Sequence, residues 1–205
     1  MSAGTTITAE TTGVILAGGG SSRFGSNKAM ALLHGTHIIK HVASTLENLF
    51  PHHLLVTNAP DTYRFLGWQM IGDVHANSGP LAGIHAALLN ITTPQAFVVG
   101  CDMPSIDSRL ISYLCNLAGS WDAALPWLDA GPEPLFAIYR KSCLPVIDRQ
   151  LREKQRKIRL TLEQLKLRKV TQQEVLAITG DLTTFHNINR MGDLQLPLKS
   201  ETVHG

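Results

Sequence analysis

Residues 16–29 read LAGGGSSRFGSNKA, and they continue the apolar run VILA at residues 14–17. A short apolar run that is stopped by three glycines is typical of a buried strand that enters a loop. Glycines let the backbone approach a ligand closely and direct several N–H groups at phosphate oxygens. Arg23 and Lys28 add positive charge to the same loop. The stretch therefore predicts a strand followed by an anion-binding loop, with a purely structural turn as the alternative.

Two well-known phosphate-binding loops do not fit this stretch. A Walker loop requires Gly-Lys-Ser/Thr after its spacer, whereas Gly25 is followed by Ser26 and Asn27. A dinucleotide-binding fingerprint that starts at Gly18 requires a glycine where Arg23 stands. A different class of nucleotide site is therefore expected.

Apolar strand-like runs and helical patterns alternate along the rest of the chain. The further strands are predicted at residues 54–56, 96–99 and 135–139, and the helices at 38–49, 81–90 and 106–117. This alternation predicts an α/β protein with a mostly parallel sheet. In such sheets the ligand site is built from loops at the carboxyl ends of the strands.

Two more loops of this kind carry informative residues. Asp102 follows the strand at 96–99, where its carboxylate is suited to hold Mg²⁺ against phosphates, although it could instead cap the next helix. Gly79 and Pro80 precede a helix whose open N-terminus is suited to an anion. Combined with Lys28, these residues favour metal-assisted nucleotide chemistry.

Composition excludes several classes of protein. The chain has 205 residues, of which 44% are hydrophobic and 17% charged, and this is typical of one globular domain rather than a disordered chain. A net charge of +2 argues against a generally basic nucleic-acid-binding surface. No stretch approaches the ~18 apolar residues of a membrane helix, and the first twelve residues lack the pattern of a secretory signal. Three cysteines without CxxC spacing suit a reducing compartment, so a cytoplasmic location is predicted.

Five segments together resemble the molybdenum cofactor guanylyltransferases, the MobA family of the nucleotidyltransferase superfamily. They are LAGGGSSRFGSNKA at 16–29, GPLAGIHAAL at 79–88, VVGCDMP at 98–104, EPLFAIYRKSCLPVI at 133–147 and FHNINRMGDL at 185–194. The resemblance implies a three-layer, Rossmann-like (GT-A-like) fold with helices on both faces of the sheet. It also implies one domain over residues 13–195, a flexible N-terminus at 1–12 and a tail at 196–205.

The resemblance implies a specific reaction. GMP would pass from GTP to molybdenum-molybdopterin to form the guanine dinucleotide cofactor, with release of pyrophosphate and with Mg²⁺ as the cofactor. Proteins of cofactor delivery or molybdenum insertion would be the partners. The alternatives are a cytidylyltransferase that acts on molybdopterin or another phosphorylated small molecule, and a catalytically silent nucleotide-binding module.

The resemblance also implies the roles of particular residues. Arg23, Lys28 and Asp102 would be catalytic, and Asp102 would be the metal ligand. Asn187 and Asn189 would lie on the molybdopterin side. The expected nucleotide-binding residues are Leu16, Ala17, Gly18, Gly19, Gly20, Lys28, Asn58, Asp73, Gly79, Pro80 and Asp102.

Residues 149–169 hold nine basic and two acidic side chains, half of all the basic charge of the chain. The apolar residues around them have helical spacing, which predicts a helix with a solvated basic face. The alternative is that some of these bases bind the anionic pterin phosphate or a partner protein. The chain lacks the glycine that the family usually places before this motif and reads Glu153-Lys154-Gln155-Arg156 instead.

Overall fold

The computed structural model describes residues 8–18, 27–73, 79–188 and 193, in which strands and helices alternate. The strands are β1 (Thr11–Leu16), β2 (Leu32–Leu33), β3 (Thr36–His37), β4 (His52–Val56), β5 (Gln69–Ile71), β6 (Gln95–Gly100), β7 (Ala123–Leu128), β8 (Gly131–Pro132), β9 (Phe136–Arg140) and β10 (Leu167–Thr171). The helices are α1 (Ile38–Leu49), α2 (Pro60–Tyr63), α3 (Pro80–Asn90), α4 (Ser108–Leu117), α5 (Leu144–Arg152), α6 (Ile158–Leu162) and α7 (Gln172–Thr179). None of the helices in these ranges is both long and apolar enough to cross a bilayer.

One mixed sheet organises the chain, with strand order β10-β7-β9-β6-β1-β4-β5. Strand β9 is antiparallel to both of its neighbours, and the other pairings along this path are parallel. Strand β8 adds an antiparallel ribbon to β7, while β2 and β3 form a separate hairpin. The sheet is therefore mostly parallel, as the alternation of strands and helices predicts.

Helices cover both faces of this sheet. Alternate residues of β1 point to opposite faces, so that Ile15 packs with α1, α4 and α7, and Val14 and Leu16 pack with α3, α5 and α6. Both resulting apolar clusters are almost fully buried. The three-layer, Rossmann-like α/β fold expected from the sequence is confirmed.

The first strand lies deep inside the sheet. It begins at Thr11, within the 1–12 segment that was assigned to the N-terminus, and Gln95 Nε2 donates to the Thr11 hydroxyl at 2.9 Å. At Gly13 the backbone passes so close to α1 that a Cβ would stand 2.8 Å from Cδ2 of Phe50. The glycine is explained by this close approach of strand and helix.

The prediction of a helix through the basic segment 149–169 is wrong. Helix α5 ends at Arg152, α6 covers only Ile158–Leu162, and the segment finishes in β10. Lys154 has a left-handed φ of +56° in the turn between the helices, a backbone conformation that favours glycine. The apolar spacing misleads because it continues across this turn, so the basic side chains do not share one helix face.

Several of these bases have structural partners, and Arg168 and Lys169 are two examples. Arg168 forms an ion pair with Glu174, and the ammonium of Lys169 lies 3.9 Å from the ring centroid of Trp127. Glu174 also belongs to a capping box, in which Thr171 N–H donates to Oε2 at 2.8 Å. These bonds stabilise the carboxylate, so the pKa of Glu174 falls from its ordinary 4.5 to about 2, mainly because of Arg168.

We expect Glu174→Gln to lower the free energy of unfolding by about 1–2 kcal/mol at pH 7, because the charged hydrogen bonds of the carboxylate are lost. Because the pKa of Glu174 is lower in the folded protein than in the unfolded chain, its carboxylate contributes its full stabilisation above pH 4.5. This contribution is lost as the pH falls towards 2. The difference in the free energy of unfolding between wild type and Glu174→Gln should therefore become smaller below about pH 4.5. Urea unfolding across pH measures it, with the exposed Glu163→Gln as control. A difference independent of pH would contradict the assignment.

Candidate active site

Four parallel strands end in one row at the same edge of the sheet. Leu16, the last residue of β1, pairs with Val56 of β4 and with Gly100 of β6, and Val56 pairs in turn with Ile71 of β5. The residues that follow these strand ends are thereby brought together, although they come from four distant parts of the chain. They are Ala17-Gly18, Thr57-Asn58, Gly72-Asp73 and Cys101-Asp102.

Two adjoining cavities open at this edge and share Leu16, Gly18 and Pro80. The central cavity has a volume of about 260 Å³ and is lined by Leu16, Ala17, Gly18, Asn27, Lys28, Ala29, Tyr63, Pro80, Gly100, Cys101, Asp102 and Leu135. The smaller side cleft is lined by Leu16, Gly18, Val56, Thr57, Asn58, Asp73, Gly79, Pro80 and Gly83.

Lys28 and Asp102 are the charged residues among those that line the central cavity. Burial raises the pKa of the Asp102 carboxyl, and the charge of Lys28 acts in the opposite direction. Gly100 makes room for this carboxylate, because a Cβ at that position would lie 2.9 Å from Oδ1 of Asp102. The cavity therefore holds one partly desolvated acid and one base.

The donor set suits a single hard cation that is shared with a ligand. The described part of the chain has no group of three or more His, Cys, Asp or Glu residues that could bind a metal by itself. Mg²⁺, however, is usually held by one or two carboxylates together with substrate phosphates and water. Asp102 meets that requirement, since it is a carboxylate residue that lines an open cavity together with Lys28.

Asn58 and Asp73 form a reciprocal pair in the side cleft. Asn58 Nδ2 donates to Oδ1 of Asp73 at 2.8 Å, and the backbone N–H of Asp73 donates to Asn58 Oδ1 at 3.2 Å. Gly72 allows this contact, because its Cβ would stand 3.0 Å from Asn58 Oδ1. The pair leaves Oδ2 of Asp73 as a hydrogen-bond acceptor whose position is fixed.

The N-terminus of α3 stands between the two cavities. Gly79 adopts a positive φ of +69°, and Pro80 begins the helix without an N–H group of its own. Gly83 lets Leu16 approach, because its Cβ would meet Leu16 Cδ2 at 3.2 Å. The Ala82 N–H already donates to the Gly79 carbonyl at 3.2 Å, so it is mainly the dipole of the helix start that favours an anion at this place.

The chain returns to the site near its C-terminus. The backbone N–H of Ile188 donates to the carbonyl oxygen of Asp102 at 2.9 Å, and its side chain is buried against Leu33 and Ile38. Further back, the hydroxyl of Thr184 accepts from the N–H of Asp107 at 2.9 Å. Asn187 is therefore held beside the Asp102 segment, with its side chain exposed.

The structure thus gathers most of the residues singled out in the sequence. Around the central cavity lie Leu16, Ala17, Gly18, Lys28, Pro80 and Asp102; the side cleft adds Asn58, Asp73 and Gly79. The expected sites at Gly19, Gly20, Arg23 and Asn189 lie outside the described residues.

Six further lining residues of the central cavity escaped the sequence-based prediction of binding residues: Asn27, Ala29, Tyr63, Gly100, Cys101 and Leu135. Asn27 had a local signal, because asparagine often caps a following turn, and its Oδ1 accepts from Ala29 N–H at 3.2 Å. Tyr63 had none, since its place depends on how α2 packs. Burial raises the pKa of the Cys101 thiol to about 12, so the thiol stays neutral at physiological pH.

Comparison with known proteins agrees with this geometry. Residues 13–171 match the family described as the MobA-like NTP transferase domain. The molybdenum cofactor guanylyltransferase of Desulfosudis oleivorans is 35% identical over 188 residues, which cover 90% of this chain and 92% of that protein. A probable molybdenum cofactor guanylyltransferase of Pelotomaculum thermopropionicum is 33% identical over 185 residues, covering 90% of each chain.

A solved structure shares the same fold. The crystal structure of molybdopterin-guanine dinucleotide biosynthesis protein A from Archaeoglobus fulgidus superimposes with a TM-score of 0.78 at 28% identity. The match covers 89% of this chain and 94% of the archaeal protein. The resemblance therefore extends over nearly the whole sheet and its helices.

Proposed function

The chain belongs to the MobA-like NTP transferase family, and we propose that it transfers GMP from GTP to molybdenum-molybdopterin, releasing pyrophosphate. The observation that carries the proposal is the central cavity, which brings together Lys28 in the turn Lys28–Met30 and Asp102 just beyond the end of β6. A base and an acid in one open cavity are what a triphosphate with its counter-cation requires.

The reaction is an in-line displacement at phosphorus. The terminal phosphate of molybdopterin attacks the α-phosphorus of GTP, the new phosphoanhydride bond forms, and the bond to pyrophosphate breaks. The attacking oxygen is already anionic near neutral pH, so no general base is needed. The protein contributes by positioning the two substrates and by offsetting negative charge as pyrophosphate leaves.

Each part of the site has a role in this scheme. Lys28 would balance phosphate charge, and the loop from Leu16 to Gly20 with Arg23 would surround the phosphates. The positive end of the α3 dipole at Pro80 adds a favourable field beside them. Asp102 would hold Mg²⁺, which supplies further charge neutralisation at the phosphates when it is bound.

We assign the guanine base to the side cleft, because of the acceptor that Asp73 presents there. Oδ1 of Asp73 accepts from Asn58, so Oδ2 is positioned to accept from the N1–H and the exocyclic amine of guanine. Neither cytosine nor adenine offers this pair of donors on one edge, so the cleft favours GTP over CTP and ATP. A site built to satisfy such donors discriminates strongly, because a wrong base leaves its polar groups unpaired.

We assign the second substrate to the side of Asp102 where Asn187 lies. Asn187 is held there through the Ile188 contact, and with Asn189 it would face the pterin. The three cysteines are unpaired, which suits a reaction in the cytoplasm. The finished cofactor would pass to proteins of cofactor delivery or molybdenum insertion.

A ligand panel with GTP, CTP, ATP and UTP in Mg²⁺ tests the proposal. We expect GTP to raise the melting temperature most, and to release pyrophosphate when molybdenum-molybdopterin is added. Preferential stabilisation by CTP would favour a cytidylyltransferase. A shift with GTP but without pyrophosphate release would favour a silent nucleotide-binding module.

The variant Asp73→Asn sharpens this test, because it keeps the Oδ1 acceptor for Asn58 and replaces Oδ2 with an N–H donor. Its kcat/KM for GTP should fall about 10–100-fold, the equivalent of losing a charged hydrogen bond. Asp61→Asn, at an exposed ion pair on α2, is the matched control. An unchanged preference for GTP in Asp73→Asn would remove Asp73 from base recognition.

A further inference from the structure

Tyr63 is a fully buried phenol that stands beside the catalytic charges. It ends the short helix α2, it is 1% exposed, and it lines the central cavity together with Lys28 and Asp102. Its hydroxyl oxygen accepts a hydrogen bond of 2.7 Å from Nδ2 of Asn27, the residue immediately before Lys28. Two segments that are separated by 36 positions in the sequence are joined by this bond.

Asn27 uses both ends of its side-chain amide. Its Oδ1 accepts from the N–H of Ala29 at 3.2 Å and so caps the short turn Lys28–Met30. Because the cap requires the oxygen on that side, the nitrogen must face the phenol. The backbone closes the same turn, since Met30 N–H donates to the Asn27 carbonyl and Ala31 N–H to that of Lys28, each at 3.0 Å.

The direction of Lys28 therefore depends on this connection. Ala29, the next residue, is fully buried and fixes the far side of the turn. The phenol thus provides a rigid, buried support on the near side of Lys28.

We propose that Tyr63 is a positioning residue for Lys28, acting through Asn27 to hold the lysine ammonium in the cavity where it binds the phosphates of the nucleotide. The inference rests on the proposed function only for the identity of the ligand. Tyr63 itself takes no part in bond making or breaking. Tyr63→Phe removes one oxygen and keeps the ring, so the buried packing is preserved.

A double-mutant cycle tests this coupling with inorganic tripolyphosphate, which binds without guanine recognition or GMP transfer. The affinity for tripolyphosphate, measured by calorimetry, should fall about 10-fold when Tyr63→Phe is made in the wild-type protein. It should fall less than about twofold when Tyr63→Phe is made in the Lys28→Met variant. Asn27→Ala should lower the affinity at least as much as Tyr63→Phe, because it removes the bond to the phenol together with the cap on Ala29 N–H. Equal losses in both backgrounds would show that Tyr63 acts independently of Lys28 and would overturn the proposal.

Amide hydrogen exchange provides a readout that needs no ligand. The Ala29 N–H, which is bonded to Asn27 Oδ1, should exchange faster in Tyr63→Phe than in wild type. Tyr139→Phe is the control, because Tyr139 is equally buried and donates to the Pro134 carbonyl at 2.9 Å. It should leave tripolyphosphate affinity and Ala29 exchange unchanged. If the Ala29 N–H exchanges at the same rate in Tyr63→Phe as in wild type, the positioning role of Tyr63 is refuted. If the wild-type protein binds tripolyphosphate but does not transfer GMP, only the proposed function is refuted.

Discussion

Replacing Asp102 by asparagine is expected to lower the rate of GMP transfer by about 10³-fold or more while the protein remains folded. Among the residues that line the central cavity, Asp102 is the acid, and its carboxylate would hold the cation that neutralises the phosphates. Asparagine keeps the size of the side chain and one acceptor oxygen but removes the negative charge. The chemical step should therefore suffer far more than the affinity for the base.

Stability should not fall with activity in this variant. Burial raises the pKa of Asp102, which means that the ionised carboxylate is held in the folded protein at a cost in free energy. A neutral amide removes that cost, and room for it exists because residue 100 is glycine. We expect the melting temperature of Asp102→Asn to equal or exceed that of wild type.

Pyrophosphate release at several Mg²⁺ concentrations is the measurement for Asp102→Asn. The matched control is Asp129→Asn, which changes an acid just beyond the end of β7 whose Oδ2 accepts from Gln172 at 2.8 Å. Asp129 lines neither the central cavity nor the side cleft, so this control should keep its activity. Turnover of Asp102→Asn within tenfold of wild type would exclude Asp102 as the metal ligand.

Lys28→Met should lower kcat/KM for GTP by about 10²–10³-fold, because methionine fills similar space without the ammonium. In a partly enclosed cavity a positive charge near the phosphates is screened less than in bulk water, so its loss is correspondingly large. Lys28→Arg should recover only part of the activity, since a planar guanidinium does not reproduce the compact ammonium.

The measurement for Lys28 is steady-state kinetics at two ionic strengths. Lys40→Met is the control, because Lys40 is an exposed lysine of α1 whose ammonium lies 5.6 Å from the centroid of the Phe65 ring. Its kinetics should match wild type at both ionic strengths. A loss of less than about fivefold in Lys28→Met, or an equal loss in Lys40→Met, would remove Lys28 from the phosphate site.

The elements with strong local patterns were predictable from the sequence. The buried strand at 14–17 ends in glycines, the amphipathic pattern of 38–49 stops before Pro51, and Gly79-Pro80 marks the start of α3. Each of these signals depends on neighbours within one or two turns of chain. The concentration of basic charge in residues 149–169 was also visible in the sequence, but the helix inferred there from the apolar spacing was wrong. The turn at Lys154 has no sequence marker, because the chain lacks the glycine that is typical of such a turn.

By itself, the sequence determined the alternating α/β architecture, the place of Asp102 just beyond a strand end and that of Lys28 in the segment that follows β1. Only the tertiary structure decided which other residues meet them. Tyr63 reaches Asn27 across 36 positions, and Ile188 binds the backbone of Asp102 from a still more distant part of the chain. Such contacts depend on strand order and on the packing of helices against the sheet. Periodicity records which side of an element is buried, but not which distant element will cover it.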